Sequence, residues 1–191
     1  GVVCEDLNGD GLPDLVVANY REEFEYDTDS FLYRGNAGGG FDTDSPLRLP
    51  THFALPLEAA DLNGDGYKEL VFAGGDRIYV YWNRNGLFNP DDRDILDAEG
   101  NSTMFARGSV RTVVADVDGD GRNELLAATR QGIEIRHADD LHTCRQLLPM
   151  EYSGWVEAAD LNGDGLLDLV VSRYQDGRTY ECESAVFWNG P

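Results

Sequence analysis

Four short segments of the chain carry oxygen-bearing side chains at the same alternate spacing. Their sequences are DLNGDGLPD, DLNGDGYKE, DVDGDGRNE and DLNGDGLLD, and successive copies begin 55, 55 and 44 residues apart. Each has a side-chain oxygen at positions 1, 3, 5 and 9 and glycine at position 6. With the backbone carbonyl of position 7, the first to fourth loops offer these candidate ligands: Asp6, Asn8, Asp10, Leu12 and Asp14; Asp61, Asn63, Asp65, Tyr67 and Glu69; Asp116, Asp118, Asp120, Arg122 and Glu124; Asp160, Asn162, Asp164, Leu166 and Asp168.

This spacing favours the binding of a hard cation. Three or four carboxylates within nine residues repel one another unless a cation lies among them. Such loops supply the six to eight oxygen ligands that Ca²⁺ takes, whereas Mg²⁺ requires stricter octahedral geometry. No His or Cys lies within a loop, which disfavours zinc and copper. We therefore predict about four calcium ions, one per repeat, with a structural role because the site recurs in every unit.

Neither turn chemistry alone nor an EF-hand accounts for the loops as well as this calcium site. Tight turns also select Asp, Asn and Gly, but four copies in register favour a metal. An EF-hand requires Glu at position 12 and flanking helices. Position 12 is instead apolar in every copy, namely Val17, Phe72, Ala127 and Val171. A helical calcium-binding module is therefore disfavoured.

The sequence around the loops predicts four small antiparallel sheets. Each loop lies between a segment of apolar or small residues and a nearly unbroken apolar run, which is typical of strands buried on both faces. Third strands are predicted at 31–34, 78–82, 133–137 and 185–188, and fourth strands at 47–49, 94–96 and 144–148. The predicted repeat units are approximately 1–50, 51–98, 99–150 and 151–191, the last without a fourth strand.

Small sheets that bury both faces against their neighbours are typical of a β-propeller. We therefore predict an all-β fold in which residues 1–191 form a single propeller domain or part of a larger ring. Small side chains such as Ala59, Ala115 and Ala159, directly before the loops, suit the crowded innermost strand of a blade.

Composition excludes several classes of function. The chain has 36 Asp and Glu against 15 Lys and Arg, a formal net charge of −21, which argues against binding nucleic acid or anionic membranes. It contains no apolar run long enough to insert into a membrane. Cys4, Cys144 and Cys182 are too few for a disulfide framework. At 41% hydrophobic residues, the chain has enough apolar material for a core.

The sequence indicates a ligand-binding site or an enzyme much less clearly than it indicates the acidic loops. Aromatic residues concentrate on the third strands, where packing between blades explains them better than contact with sugars. Trp155 precedes an inner strand and is a better candidate for ligand contact. No nucleophile elbow, HExxH or phosphate-binding loop occurs, so we predict no catalytic residue and no enzyme. The acidic segment 21–30 is predicted to be a solvated loop.

The four loops and their flanking strands resemble the FG-GAP and VCBS-type repeats of integrin α-subunit propellers and of many secreted bacterial proteins. The resemblance covers essentially the whole chain. It implies a β-propeller with one Ca²⁺ between the first and second strands of each blade, a secreted or cell-surface setting, and a role in adhesion or recognition. Glu69 and Glu124 stand where Asp is more usual. Family rings usually have seven or eight blades, so four repeats favour a ring completed by a homodimer or by missing parent sequence over a closed four-bladed ring.

Three functions follow as hypotheses. The first is a calcium-binding propeller module that recognises a protein or glycan outside the cell. The second is the propeller portion of a secreted polysaccharide-active enzyme, in which two glycosidase carboxylates lie among the 36 acids. The third is a purely structural unit of a larger assembly. Exposed aromatics beside a cleft would favour glycan binding, and a close carboxylate pair in a pocket away from the loops would favour the enzyme.

Overall fold

The computed structural model describes residues 1–20, 26–98, 102–103, 106–107, 111–173, 178–179 and 181–190. These residues form β-strands joined by turns and loops, and no helix occurs among them. The described part of the chain therefore has no helix of the length and apolarity that crossing a bilayer requires. The prediction of an all-β chain is confirmed.

The chain divides into two compact units. Unit 1 comprises Gly1–Asp61 and Asp65–Asp97, and unit 2 comprises Leu62–Gly64 and Ala98–Pro191. In every sheet of either unit the strand order follows the chain order, so each strand is paired antiparallel with the next. Simple hairpins of this kind are the blade topology that the repeats predict.

Unit 1 contains two four-stranded sheets. Within the unit, the first strand of one sheet approaches the first strand of the other. The first sheet consists of β1 (Val2–Glu5), β2 (Asp14–Val17), β3 (Asp27–Tyr33) and β4 (Leu47–His52), and the second of β5 (Ala54–Ala60), β6 (Glu69–Gly74), β7 (Arg77–Arg84) and β8 (Leu87–Asp97).

Unit 2 contains a short hairpin, a four-stranded sheet and a three-stranded sheet. The hairpin, which the sequence did not predict, pairs β9 (Ser102–Thr103) with β10 (Ala106–Arg107). The third sheet consists of β11 (Arg111–Ala115), β12 (Glu124–Ala128), β13 (Gly132–His137) and β14 (Gln146–Pro149), and the fourth of β15 (Ser153–Ala159), β16 (Asp168–Arg173) and β17 (Ala185–Phe187).

The second strands form the interior of the sheets. Every residue of β6 and β12 is buried, as expected for apolar strands covered on both faces. In unit 1, Phe72 of β6 packs edge-on against Tyr81 of β7. The Tyr81 hydroxyl donates a hydrogen bond of 2.5 Å to the Pro50 carbonyl, and burial raises the pKa of Tyr81 to about 12. The core of unit 2 is aliphatic and includes Leu126, Ile133, Val156 and Val171.

Several predicted strand boundaries differ from the structure. Residues 27–30, predicted as part of a solvated acidic loop, belong to β3, where the Ser30 hydroxyl lies buried 2.8 Å from that of Thr51. Pairing with β4 provides the hydrogen bonds that let this polar segment extend the strand. The remainder of that loop, 21–25, lies outside the described residues. In addition, β8 is longer than predicted, and β14 begins two residues later.

Candidate metal centres

Each acidic loop connects the first strand of a sheet to the second. Position 1 follows β1, β5, β11 or β15, and position 9 is the first residue of β2, β6, β12 or β16. The predicted position of the acidic loops between the first and second strands is therefore confirmed. The glycines at positions 4 and 6 all have φ between 76° and 90°, a conformation that residues with a Cβ rarely adopt. This requirement explains the repeated glycines.

The position 1 carboxylate accepts backbone N–H groups from its own loop. In the first loop, Asp6 accepts hydrogen bonds of 2.8 Å from both Gly9 and Gly11. Asp160 accepts equivalent bonds from Gly163 and Gly165. Backbone N–H donors, led by Gly11 at Asp6 and by Gly165 at Asp160, lower the pKa of both carboxyl groups. Asp6 and Asp160 are thus held ionised and oriented, with lone pairs left for a cation.

Positions 3 and 5 have the same geometry in the first and fourth loops. The Asn8 amide donates a hydrogen bond of 2.9 Å to Asp10, and Asn162 donates one of the same length to Asp164. Position 5 in turn accepts the N–H of position 7, at 2.8 Å for Leu12. In the second loop, Asp65 likewise accepts the N–H of Tyr67.

The third loop replaces the position 3 amide with a carboxylate. A carboxylate oxygen from each of Asp116, Asp118 and Asp120 lies within 4.8 Å of the others. An ionised Asp118 cannot donate a hydrogen bond to Asp120 as asparagine does in the first and fourth loops. This loop therefore places four carboxylates at ligand positions, whereas each of the other three loops places three.

Position 9 is a buried anchor, a role that the ligand spacing alone did not reveal. Asp14, Glu69, Glu124 and Asp168 are all at most 1% exposed. Asp14 accepts the Leu7 N–H at 3.3 Å and the Gly35 N–H at 2.9 Å, and it pairs with the Arg34 guanidinium at 2.6 Å. This carboxylate connects its own loop to the hairpin after β3.

Glu124 is the exception among these anchors. Its Oε2 accepts the Val117 N–H at 2.9 Å, but its buried Oε1 has no hydrogen-bond partner. In the other three loops, the position 9 carboxylate also accepts a backbone N–H from the end of the third strand or just beyond it, from Gly35, Asn83 or Asn189. Burial raises the pKa of Glu124. The His137 ring lies close by, with its Nδ1 4.0 Å from Oε1.

In each unit, one asparagine that the sequence patterns did not single out connects two neighbouring sheets. The Asn83 amide donates to the carbonyls of Leu7 at 2.8 Å and Lys68 at 3.0 Å. In unit 2, the Asn189 amide donates to the Val117 carbonyl at 2.5 Å. Leu7 and Val117 both occupy position 2 of a loop. The shared Trp-Asn pair at 82–83 and 188–189 was the available signal in the sequence.

Replacing Asn83 with alanine is expected to destabilise the protein by about 2–4 kcal/mol. The substitution removes three hydrogen bonds of a fully buried side chain, including the one that Oδ1 accepts from Gly86 N–H, and leaves buried carbonyls unpaired. Urea unfolding of the Asn83→Ala variant measures the loss. Asn89→Ala is the matched control, since its side chain is exposed and accepts one local N–H. Equal stability of the two variants would contradict the anchoring role of Asn83.

The aromatic residues fall into buried and exposed groups. Tyr79 and Tyr81 are core residues, as predicted. Trp188 lies on the predicted third strand 185–188, but it is 63% exposed, so the prediction that these aromatics pack between blades is wrong for this residue. Trp155 is 42% exposed. The Trp155 ring lies under the Arg111 guanidinium at 4.1 Å, and its indole N–H donates to Glu157 at 3.0 Å. Both tryptophans therefore present part of a ring to solvent.

Antiparallel sheets with an acidic loop between the first and second strands define this chain as a β-propeller protein. A family model described as FG-GAP-like repeat matches three overlapping stretches, residues 6–72, 61–127 and 116–171. The chain therefore belongs to the FG-GAP-like repeat family, as the sequence resemblance predicted.

Two curated relatives are integrin α subunits of Drosophila melanogaster. Integrin alpha-PS5 is 31% identical over 141 residues, and integrin alpha-PS3 is 31% identical over 143 residues. Each alignment covers 65% of this chain, but only 14% and 12% of the respective relatives. Among solved structures, an Agrocybe aegerita lectin that recognises non-reducing terminal N-acetylglucosamine matches with a TM-score of 0.57 at 20% identity. That match covers 98% of this chain and 52% of the lectin chain, and it supports the fold alone.

Proposed function

We propose that this chain is a calcium-stabilised β-propeller module that recognises a protein or glycan outside the cell. Membership of the FG-GAP-like family and the similarity to integrin α subunits support a recognition role and an extracellular or cell-surface location. The observation that carries the calcium proposal is the recurrence of one hydrogen-bonded loop geometry in both units.

The residues of each loop fit a calcium ion. Side-chain oxygens of positions 1, 3 and 5 and the carbonyl of position 7 would bind the ion. The buried carboxylate of position 9 would hold the loop in place by accepting the N–H of position 2. The glycines fix the turn, and the N–H donors orient the carboxylates before metal arrives. Bound calcium would offset the repulsion among the acids and hold the first two strands of each sheet together.

A structural role for calcium leaves recognition to other surfaces. Trp155 and Trp188 are the large exposed rings of the described residues, and neither belongs to a loop ligand set. Aromatic faces stack on sugars and serve as anchors in protein interfaces. The net charge of −21 disfavours polyanionic partners. Self-association that completes a propeller ring stays a prediction.

The recognition role predicts binding to at least one extracellular glycan or protein, and the loss of an exposed ring should weaken it at least tenfold. A glycan array and a panel of extracellular matrix proteins, probed with calcium-loaded protein, provide the screen. Trp155→Ala and Trp188→Ala are then compared with Leu87→Ala, which removes an aliphatic side chain that is more exposed than either ring, at 70%. A ligand bound equally by all three variants would place recognition elsewhere. The absence of any ligand in both screens would favour the purely structural hypothesis.

A further inference from the structure

Unit 1 contains a groove whose walls include no residue of the acidic loops. It has a volume of about 400 Å³ and lies between the third and fourth strands of the first sheet, β3 and β4, and those of the second sheet, β7 and β8. Its charged residues are Asp27 and Asp29 on β3, Arg77 on β7 and Arg93 on β8. The acids therefore come from one sheet and the arginines from the other.

Arg93 has an unsatisfied donor at this groove. Its Nη1 donates a hydrogen bond to the Pro90 carbonyl, whereas its Nε is buried and has no hydrogen-bond partner among the described residues. The Tyr81 ring lies beneath the guanidinium, with its centroid 5.6 Å from Cζ. A buried donor without an acceptor is costly. The bond to Pro90 uses one terminal nitrogen and leaves the edge that contains Nε for a carboxylate, which a small rotation of the guanidinium would turn toward the groove.

Arg77 supplies a second cationic group with donors to spare. Its Nε is 3.9 Å from Asp97 Oδ1, which is beyond hydrogen-bond distance. The Asp97 side chain is 92% exposed, so water screens this loose pair. Tyr79 raises the pKa of Arg77, mainly through a side-chain hydrogen bond. Arg77 thus stays charged and can donate to an incoming anion.

The two aspartates of the groove already have partners on their own sheet. Asp29 accepts a hydrogen bond of 3.1 Å from Arg48, and an oxygen of Asp27 lies 2.7 Å from His52 Nδ1. These contacts offset the negative charge on the first sheet. On the second sheet, by contrast, Arg93 forms no ion pair within the described part of the chain. The groove therefore lacks an anion more than it lacks a cation.

We propose that this groove binds the carboxylate of an acidic sugar at the end of a glycan. Guanidinium groups bind carboxylates through paired N–H donors, which Arg77 and Arg93 provide. Asp27 and Asp29 would accept hydrogen bonds from the sugar hydroxyls, which a peptide carboxylate does not carry. Ile95 adds apolar surface for the ring, and the volume is that of a small-molecule site.

A single acidic group suits this chain better than a polyanion does. The net charge of −21 opposes ligands that carry many negative charges. The assignment rests on the proposed recognition function for its class of ligand, but not on the exposed tryptophans. The groove belongs to unit 1, whereas Trp155 and Trp188 belong to unit 2.

Titration of the calcium-loaded protein with three acidic sugars tests the proposal. The probes are glucuronic acid, galacturonic acid and N-acetylneuraminic acid, and NMR or calorimetry is expected to show millimolar binding of at least one. The uncharged amide of that sugar should bind at least about tenfold more weakly, as should the acid to Arg77→Gln or Arg93→Gln, because hydrogen bonds to charged groups contribute enough for such a change. Arg84→Gln is the matched control, since Arg84 lies on the same strand as Arg77 but pairs with Asp92 at 2.8 Å outside the groove.

Four results would overturn the assignment. They are no binding of any of the three acids, equal binding of the amide, unchanged affinity in both arginine variants, and equal affinity for N-acetylglutamate, which would indicate a site for peptide carboxylates. Thermal melting in calcium establishes that the variants are folded, and the half-exposed Arg77 keeps the test decisive if Arg93→Gln unfolds. Trp155→Ala and Trp188→Ala should retain binding of the acidic sugar, so failure of this groove is distinguishable from failure of recognition at the tryptophans.

Discussion

Removing calcium with excess chelator is expected to lower the melting temperature of this protein by more than about 10 °C. The four loops place thirteen carboxylates at ligand positions, and their repulsion is unopposed without a cation. A site held at 100 times its dissociation constant adds about 2.7 kcal/mol to stability. In a chain of this size, 1 kcal/mol corresponds to roughly 2–4 °C. Loss of two or more ions is therefore enough to produce the expected shift, which differential scanning calorimetry measures directly.

Single-loop variants separate metal binding from general charge effects. Asp160→Ala removes the position 1 carboxylate of the fourth loop and should reduce both the calcium stoichiometry and the melting temperature. Asp91→Ala removes an acidic side chain outside the loops and should change neither. An unchanged melting curve in excess chelator would show that the loops fold without metal.

Replacing Asp14 with alanine is expected to destabilise the protein by about 3 kcal/mol or more, even in chelator. The variant leaves the Leu7 and Gly35 N–H groups without their acceptor and removes the ion-pair partner of Arg34. Because these contacts do not involve a metal, the loss should persist after calcium is removed. Chemical denaturation with and without chelator measures both conditions.

The exposed position 5 of the same loop provides the control. Asp10→Ala removes a candidate calcium ligand and leaves the contacts of Asp14 in place, so its effect should disappear in chelator. Asp14→Asn keeps one acceptor oxygen and should lose less stability than the alanine variant. If Asp14→Ala matched the wild type in chelator, position 9 would act only as a metal ligand.

Sequence periodicity predicted the sheets and loops because both are local patterns. Buried second strands such as β6 consist largely of consecutive apolar residues, and the loop glycines follow from backbone conformation at adjacent positions. The strand β3 was predicted too short because its first residues are polar. Their strand conformation depends on pairing with β4, which is about 20 residues away and leaves no local signal.

The sequence predicted which residues form the candidate metal sites, but it did not predict that positions 1 and 9 have different roles. The spacing treats positions 1 and 9 as equal ligands, yet position 9 is buried because it begins a strand that lies between two others. His137 lies 13 residues beyond Glu124, and only the antiparallel register brings them together. Asn83 lies 76 residues from the carbonyl it contacts. These long-range contacts depend on how strands and sheets pack together. A single sequence without homologues carries no local pattern that indicates this packing.

The backbone of the residue at position 2 of a loop connects two neighbouring repeats of the same unit. Leu7 donates its N–H to the anchor of its own loop and accepts the amide of Asn83 from the next sheet of unit 1. Val117 has the same two connections, to Glu124 and to Asn189. A single residue's backbone thus belongs both to an ion-binding loop and to its neighbour's turn. Ordering of one loop is therefore linked to ordering of the adjacent sheet, which is the nearest-neighbour coupling that is typical of repeat proteins.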